Sequence, residues 1–135
     1  MGKRIADNAV PITTPLDASF FRAYLDFIVP LHNLTNSERE ILAHFLKERY
    51  ELSKVITDDA ILAQVLASNS TKQKVAEACN LKSSNLQVVL HKFKKSGVMV
   101  EGVIDPKLIP ALSEEALESG EFRLMIRFSL IKNEN

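Results

Sequence analysis

The chain has few of the residues on which most catalytic and metal sites depend. It contains one cysteine, four glycines and three histidines in 135 residues. One cysteine excludes an internal disulfide, and the scattered glycines provide no Gly-rich loop that could hold a phosphate group. His32, His44 and His91 stand far apart, without an HExxH sequence or a nucleophile motif. We therefore expect a protein that is not an enzyme and that has no metal and no cofactor.

Long apolar stretches are also missing. No run approaches the roughly 20 apolar residues that a transmembrane helix requires, and the first ten residues carry charges without the apolar region of a secretory signal. Hydrophobic residues make up 46% of the chain and charged residues 25%, as in ordinary globular proteins. We expect one cytoplasmic domain with no membrane partner.

Positive charge is concentrated in one part of a chain whose net charge is zero. Between Lys72 and Lys95 there are six lysines and one acid, so this stretch carries +5 and the rest of the chain −5. A basic patch is the electrostatic footprint of a nucleic-acid binder, whereas overall neutrality is not. The charge pattern therefore favours an anionic partner for this stretch alone.

The same stretch, extended to residue 98, predicts two short helices joined by a tight turn. Asn80 suits a left-handed turn, Ser83 an N-cap, and Gly97 the position after a helix. Apolar residues recur along it at helical spacing, namely Val75, Cys79, Leu81, Leu86, Val89, Leu90 and Phe93. Because Cys79 lies on this apolar face, we interpret it as an inert core thiol.

The segments LTNSEREIL and VAEACNLKSSNLQVVLHKFKKSGV resemble the winged-helix form of the helix-turn-helix superfamily. They are similar in particular to small winged-helix proteins encoded by bacteriophages, and the likeness covers roughly residues 34–110. It implies a DNA-binding second helix followed by a β-hairpin wing. Glu101-Gly102 between two β-prone runs is compatible with such a hairpin. The chain departs from the pattern in its long connection RYELSKVITDDAILAQVLASNS and in an additional arm and strand.

Before the motif, a first helix is predicted through FFRAYLDFI. Asp17 is its expected N-cap, and Pro30 is expected to stop or kink it. Its aromatic residues could face either the core or a partner, and the sequence leaves this open for Phe20, Phe21 and Tyr24.

Further helix starts are predicted from capping residues. Thr35 and Glu38 form a capping box for a helix over residues 36–51. Thr57 is predicted to cap the next helix, and Ser70 or Thr71 to begin the first helix of the motif. The inner stripe of the helix after Thr35 is expected to comprise Ile41, Leu42, Phe45, Leu46 and Tyr50.

The two ends of the chain predict extended segments. Residues 1–16 contain Pro11 and Pro15 without an amphipathic period, which favours an extended arm, with a disordered tail as the alternative. SEEALESG predicts a short helix, and EFRLMIRFSLI alternates like a strand that needs the hairpin, the arm or another subunit as partner.

We predict a mainly α fold with a small β component. Its parts are an arm over residues 1–16, a winged-helix-like domain over residues 17–112, and a short helix plus strand over residues 113–135.

If the motif binds duplex DNA, its second helix, residues 84–96, would enter the major groove. A solvated helix face is the plain alternative. The candidates for base contacts are Ser84, Asn85, Gln87, Val88 and His91. Phosphate contacts position a protein along the duplex without distinguishing one base sequence from another. The candidates for these contacts are Lys72, Lys74, Lys82, Lys92 and Lys95. This interpretation describes a phage-type regulator or DNA-associated factor.

A different class of function fits the neutral net charge, the arm and the final strand. The chain would then be a phage virion assembly protein, in the connector, the neck or the capsid, that uses the helix-turn-helix fold for protein docking. Its partners would be neighbouring protein subunits in the virion rather than duplex DNA. In both cases we expect an oligomer or a part of a larger assembly.

Overall fold

The longest helix, α3, lies at the centre of the fold. The computed structural model describes residues 10–133, and α3 spans Asn36–Ser53. The Thr35 hydroxyl accepts from the Glu38 amide and the Glu38 carboxylate accepts from the Thr35 amide, which confirms the predicted capping box. The helix packs against α1, α4 and α5. Its predicted inner stripe is confirmed, because Ile41, Leu42, Phe45 and Leu46 are buried and Tyr50 is half-buried.

Two helices precede α3. In α1, Ala18–Phe27, the Asp17 carboxylate accepts from the Ser19 amide at 2.8 Å, so the predicted N-cap is confirmed. The helix ends at Phe27, and Pro30 lies in the first turn of the short helix α2, Val29–His32. Phe21 is buried against the core, whereas Phe20 and Tyr24 are half-buried at its edge.

Helix α4, Asp59–Leu66, begins one residue later than predicted. The predicted cap at Thr57 is wrong, because Asp58 occupies the N-cap position and its carboxylate accepts from the Ile61 amide at 3.0 Å. Both residue types cap helices well, so their order along the chain could not distinguish them. Leu62 is buried in the first turn of the helix that Asp58 caps.

Helix α5, Asn69–Ala78, begins earlier than predicted. The predicted start at Ser70 or Thr71 is wrong, because the Ser68 hydroxyl accepts from the Thr71 amide and the helix begins at Asn69. Thr71 is buried, and its hydroxyl donates to the Val65 carbonyl at 2.7 Å. This bond fixes the Thr71 side chain, in the first turn of α5, against the end of α4.

A tight turn connects α5 to α6, Ser83–Ser96. Asn80 has the predicted left-handed conformation, with φ of 54°, and Gly97 follows α6 with φ of 80°. The predicted cap at Ser83 is wrong, because Lys82 holds the N-cap position and Ser83 is already helical. Leu86 and Phe93 are buried, as predicted for the core side of this helix.

A short antiparallel hairpin follows α6. Strands β1, Met99–Val100, and β2, Val103–Ile104, pair with Met99 opposite Ile104. Glu101 and Gly102 both have positive φ, 50° and 81°, as a two-residue type I′ turn requires. The predicted tight turn at these two residues is therefore confirmed.

After a short 3₁₀ helix, Pro106–Leu108, the chain forms α7, Glu114–Ser119, with Ser113 as its cap and Gly120 after its end, as predicted. The predicted strand EFRLMIRFSLI is wrong for the single chain, because the described tail, residues 121–133, joins no sheet. A strand needs a neighbour for its backbone groups, and the β1–β2 sheet takes up no third strand among the described residues. The predicted arm has no helix or strand over residues 10–15, and its first nine residues and residues 134–135 lie outside the described residues.

Candidate nucleic-acid interface

Helix α6 turns one side to the core and the opposite side to solvent. Beside the buried Leu86 and Phe93, Val89 and Leu90 are half-buried. Side chains four and seven positions apart share a helix face, and this spacing aligns Ser84, Val88, His91 and Lys95 along the middle of the solvent side. The predicted base-contacting residues are all exposed on α6, namely Ser84, Asn85, Gln87, Val88 and His91.

One flank of this exposed face borders the hairpin. A shallow cleft of about 270 Å³ separates α6 from the β1–β2 turn and the start of α5. Lys72, Gln87, His91 and Lys94 line it together with Glu101. The Lys94 ammonium lies 4.0 Å from the Glu101 carboxylate. The cleft is therefore bordered by more positive than negative side chains.

The other flank of α6 borders α3. The Lys92 ammonium lies 3.8 Å from the carboxylate of Glu38, and Asn85 lies on the same flank, seven residues before Lys92. The Lys92 side chain is 65% exposed. The Glu38 side chain is only 12% exposed, so Lys92 is the partner of this ion pair that can turn towards a phosphate in solvent.

The predicted phosphate-contacting lysines are divided between two sides of α5. Lys82, Lys92 and Lys95 are exposed on and beside α6, and Lys72 lines the cleft next to it. Lys74 lines a separate cleft of about 740 Å³ bordered by α1 and α3. Residues two positions apart point to opposite sides of a helix, which explains the division. The structure thus brings four of the five lysines to the α6 side.

The cleft that contains Lys74 is bordered by a network of ion pairs that joins α1 to α3. Arg22 donates to Asp26 at 2.9 Å and to Glu40 at 2.7 Å, and Arg39 Nε lies 2.9 Å from the Asp26 carboxylate. Burial lowers the pKa of Arg22, but the hydrogen bonds to the two acids outweigh it and raise that pKa overall. The acids of this cleft are therefore partly neutralised within the fold.

The cysteine and histidines lie apart from one another. Burial, assisted by Glu40, raises the pKa of Cys79 to about 11, so its thiol stays protonated at neutral pH. His32 Nδ1 accepts from the Leu34 amide, which leaves Nε2 to donate to the Leu25 carbonyl at 2.8 Å. His44 Nε2 lies 3.3 Å from Glu40. Among residues 10–133, no three His, Cys, Asp or Glu side chains form a group that could hold a metal ion.

The sequence interpretation missed two residues of the α6 flank, Lys94 and Glu101. Lys94 was part of the basic stretch, and its position seven residues after Gln87 places both on one side of the helix. That spacing was readable in the sequence. The position of Glu101 beside Lys94 was not, because it depends on how the hairpin folds back onto α6.

Comparisons with other proteins leave this site to be interpreted from its geometry. No protein-family model, curated protein or solved structure matches the chain. Every helix within residues 10–133 is too short or too polar to cross a lipid bilayer.

Proposed function

We propose that the chain is a non-enzymatic duplex DNA-binding protein of winged-helix type. In this proposal α5 and α6 act as the helix-turn-helix and the β1–β2 hairpin as the wing. The observation that carries the proposal is the free face of α6, where exposed hydrogen-bonding side chains are flanked by lysines on both sides. A helix in the major groove uses both parts of this combination, the polar side chains for base edges and the lysines for phosphates.

The residues on this face have the chemistry that base edges require. The amides of Asn85 and Gln87 can each bind adenine through two hydrogen bonds, and an aliphatic side chain can contact the methyl group of thymine. Val88 is 58% exposed at the centre of an otherwise polar face. At this position its side chain would be accessible for such an apolar base contact.

The lysines around α6 have the arrangement that phosphate contacts require. Lys82, Lys92 and Lys95 follow the helix, and Lys72 lies across the cleft beside the hairpin. The Lys92 ammonium would exchange its contact with Glu38 for a phosphate contact. We assign phosphate binding to Lys72, Lys82, Lys92 and Lys95 and leave Lys74 out, because it lines the α1–α3 cleft.

The role we propose is that of a phage-type regulator or another DNA-associated factor in the host cytoplasm. It rests on the winged-helix resemblance of residues 34–110 and on the basic stretch between Lys72 and Lys95. The neutral net charge limits non-specific attraction to DNA, so contacts at α6 would contribute most of the affinity.

The test is a salt titration of the full chain with a fluorescein-labelled duplex of mixed sequence, followed by anisotropy. Four phosphate contacts predict that log K falls against log [salt] with a slope of about −3.6. The double substitution Lys92→Ala/Lys95→Ala should remove about 1.8 units of this slope, because two counterion-releasing contacts are lost.

Lys74→Ala is the matched control, since it removes the same charge from the opposite side of α5. Its slope should equal that of the unmodified chain. The proposal is contradicted if the chain does not bind duplex at roughly 50 mM salt, or if Lys74→Ala and the α6 double variant lower the slope equally per lysine removed.

A second candidate function, a virion assembly protein, is favoured by one observation. The tail after α7 exposes large apolar side chains, including Phe128 at 82% and Leu130 at 90%, which suit a protein partner better than DNA. In that case the chain would dock to neighbouring subunits, and the titration would detect no duplex binding even at low salt.

A further inference from the structure

The tail, residues 121–133, is anchored at one end and exposed along the rest. The ring of Phe122 lies 5.4 Å from that of Phe20 and 5.9 Å from that of Tyr24, which attaches the tail to α1. Beyond this point the exposed fraction of alternate residues rises from 41% at Leu124 to 90% at Leu130. A segment that joins no sheet and exposes apolar side chains at alternate positions can pair with a strand of another chain.

We propose that residues 122–131 pair, as antiparallel strands, with the same residues of a second copy of this chain, centred on Ile126. In this register Phe122 faces Leu130 of the second copy, and Leu124 faces its Phe128. All even-numbered residues of both copies then share one apolar face, which begins at the contact of Phe122 with α1. Apolar cross-strand pairs of this kind stabilise antiparallel sheets.

The charged residues of the tail select this register over its neighbours. With Ile126 at the centre, Arg123 faces Ser129 and Arg127 faces Met125 of the second copy. A shift that centres the pairing on Met125 would place Arg123 opposite Arg127, and one that centres it on Arg127 would place that residue opposite itself. Like charges directly opposite each other destabilise a sheet. If even-numbered residues of one copy lay opposite odd-numbered residues of the other, the even-numbered apolar residues of the two copies would lie on opposite faces of the sheet.

The N-terminal arm is a poorer partner for the tail than a second copy. Within the described part of the arm, residues 10–16, Pro11 and Pro15 lack backbone amides on the same edge of an extended chain. The tail contains no proline between residues 121 and 133, so each of its residues can donate to a neighbouring strand. Two tails can therefore form a ladder without the two missing donors that residues 10–16 of the arm would bring.

The test is disulfide crosslinking of the full chain in a Cys79→Ala background, so that each variant has one cysteine. Ile126→Cys should give a covalent dimer on mild oxidation, because directly opposite Cβ atoms lie about 4.5–5.5 Å apart. Leu130→Cys is the matched control, since its two copies would be separated by roughly 26 Å along the strands. A mixture of Leu124→Cys and Phe128→Cys should give the mixed dimer preferentially.

Three outcomes would overturn the proposal. Equal crosslinking of Ile126→Cys and Leu130→Cys would indicate random collision, and crosslinking of Met125→Cys in place of Ile126→Cys would indicate the neighbouring register. An intramolecular disulfide in Ile12→Cys/Ile126→Cys would show that the arm covers the tail. Circular dichroism checks that the helices of each variant persist, which we expect because the introduced cysteines occupy exposed positions and Cys79→Ala changes only a half-buried side chain. Because the pairing does not use α6, it can hold or fail independently of DNA binding.

Discussion

At the scale of single residues, Gly102 is required for two separate reasons. It has φ of 81°, a left-handed conformation that residues with a Cβ rarely adopt. A Cβ at this position would also overlap the backbone carbonyl of Ala63, because the hairpin turn packs directly onto α4. Gly97 has nearly the same φ of 80°, but a Cβ there meets nothing within 4 Å among the described residues. A comparison of substitutions at the two glycines therefore distinguishes the free-energy cost of backbone strain from that of close packing.

Gly102→Ala should destabilise the protein more than Gly97→Ala. The left-handed conformation costs an alanine about 1–2 kcal/mol at either position. At Gly102 the overlap with Ala63 adds about 1–3 kcal/mol more, because backbone must move to make room. Urea unfolding followed by circular dichroism measures both free energies. Equal losses at the two positions would mean that the turn does not pack on α4.

At the scale of secondary-structure elements, helix ends are determined by short-range hydrogen bonds together with packing. Asp17, Thr35, Asp58, Ser68 and Ser113 each accept a backbone amide hydrogen bond at the start of a helix. These bonds satisfy donors that the first turn leaves without a partner. Where two candidate residues are adjacent, the buried residues of the helix decide which of them acts as the cap.

Asp58→Ala should lower the free energy of unfolding by about 1 kcal/mol, because the carboxylate that accepts from the Ile61 amide is lost. Thr57→Ala is the neighbouring control, and its effect should stay within about 0.5 kcal/mol, as for an exposed surface position. Thermal or urea unfolding of both variants distinguishes them. A larger loss for Thr57→Ala would show that the cap lies one residue earlier.

At the scale of the whole molecule, α1 belongs to the same core as the helices that carry the candidate site. Phe21 and Leu25 are buried in a cluster that also contains Leu42 and Phe45 of α3 and Phe93 of α6. The ion pairs Arg22–Glu40 and Arg39–Asp26 join α1 to α3 at the edge of this cluster. The position of α6 therefore depends on a core to which distant parts of the chain contribute.

Phe21→Ala should lower the free energy of unfolding by about 3–5 kcal/mol, because a buried aromatic ring is replaced by a cavity. Phe27→Ala removes the same side chain from a position of α1 that is 55% exposed. Its effect should be about 1 kcal/mol or less, as expected for a surface position. Similar losses for the two variants would contradict the packing of α1 described above.

The sequence alone accounts for the features that depend on a few neighbouring residues. The capping box of Thr35 and Glu38, the left-handed Asn80 and the Glu101-Gly102 turn were all predictable. The same holds for the core side of α6, because helical spacing separates Leu86 and Phe93 from the exposed residues. The conformational preferences and hydrogen bonds involved act within one or two helical turns.

The tertiary structure accounts for the features that depend on residues distant in sequence. It placed Lys74 and Lys72 in different clefts, because the two sides of α5 face different helices, and it left the predicted strand of the tail without a partner among the described residues. Alternation of apolar residues indicates a strand, but a strand forms only where another backbone supplies hydrogen bonds.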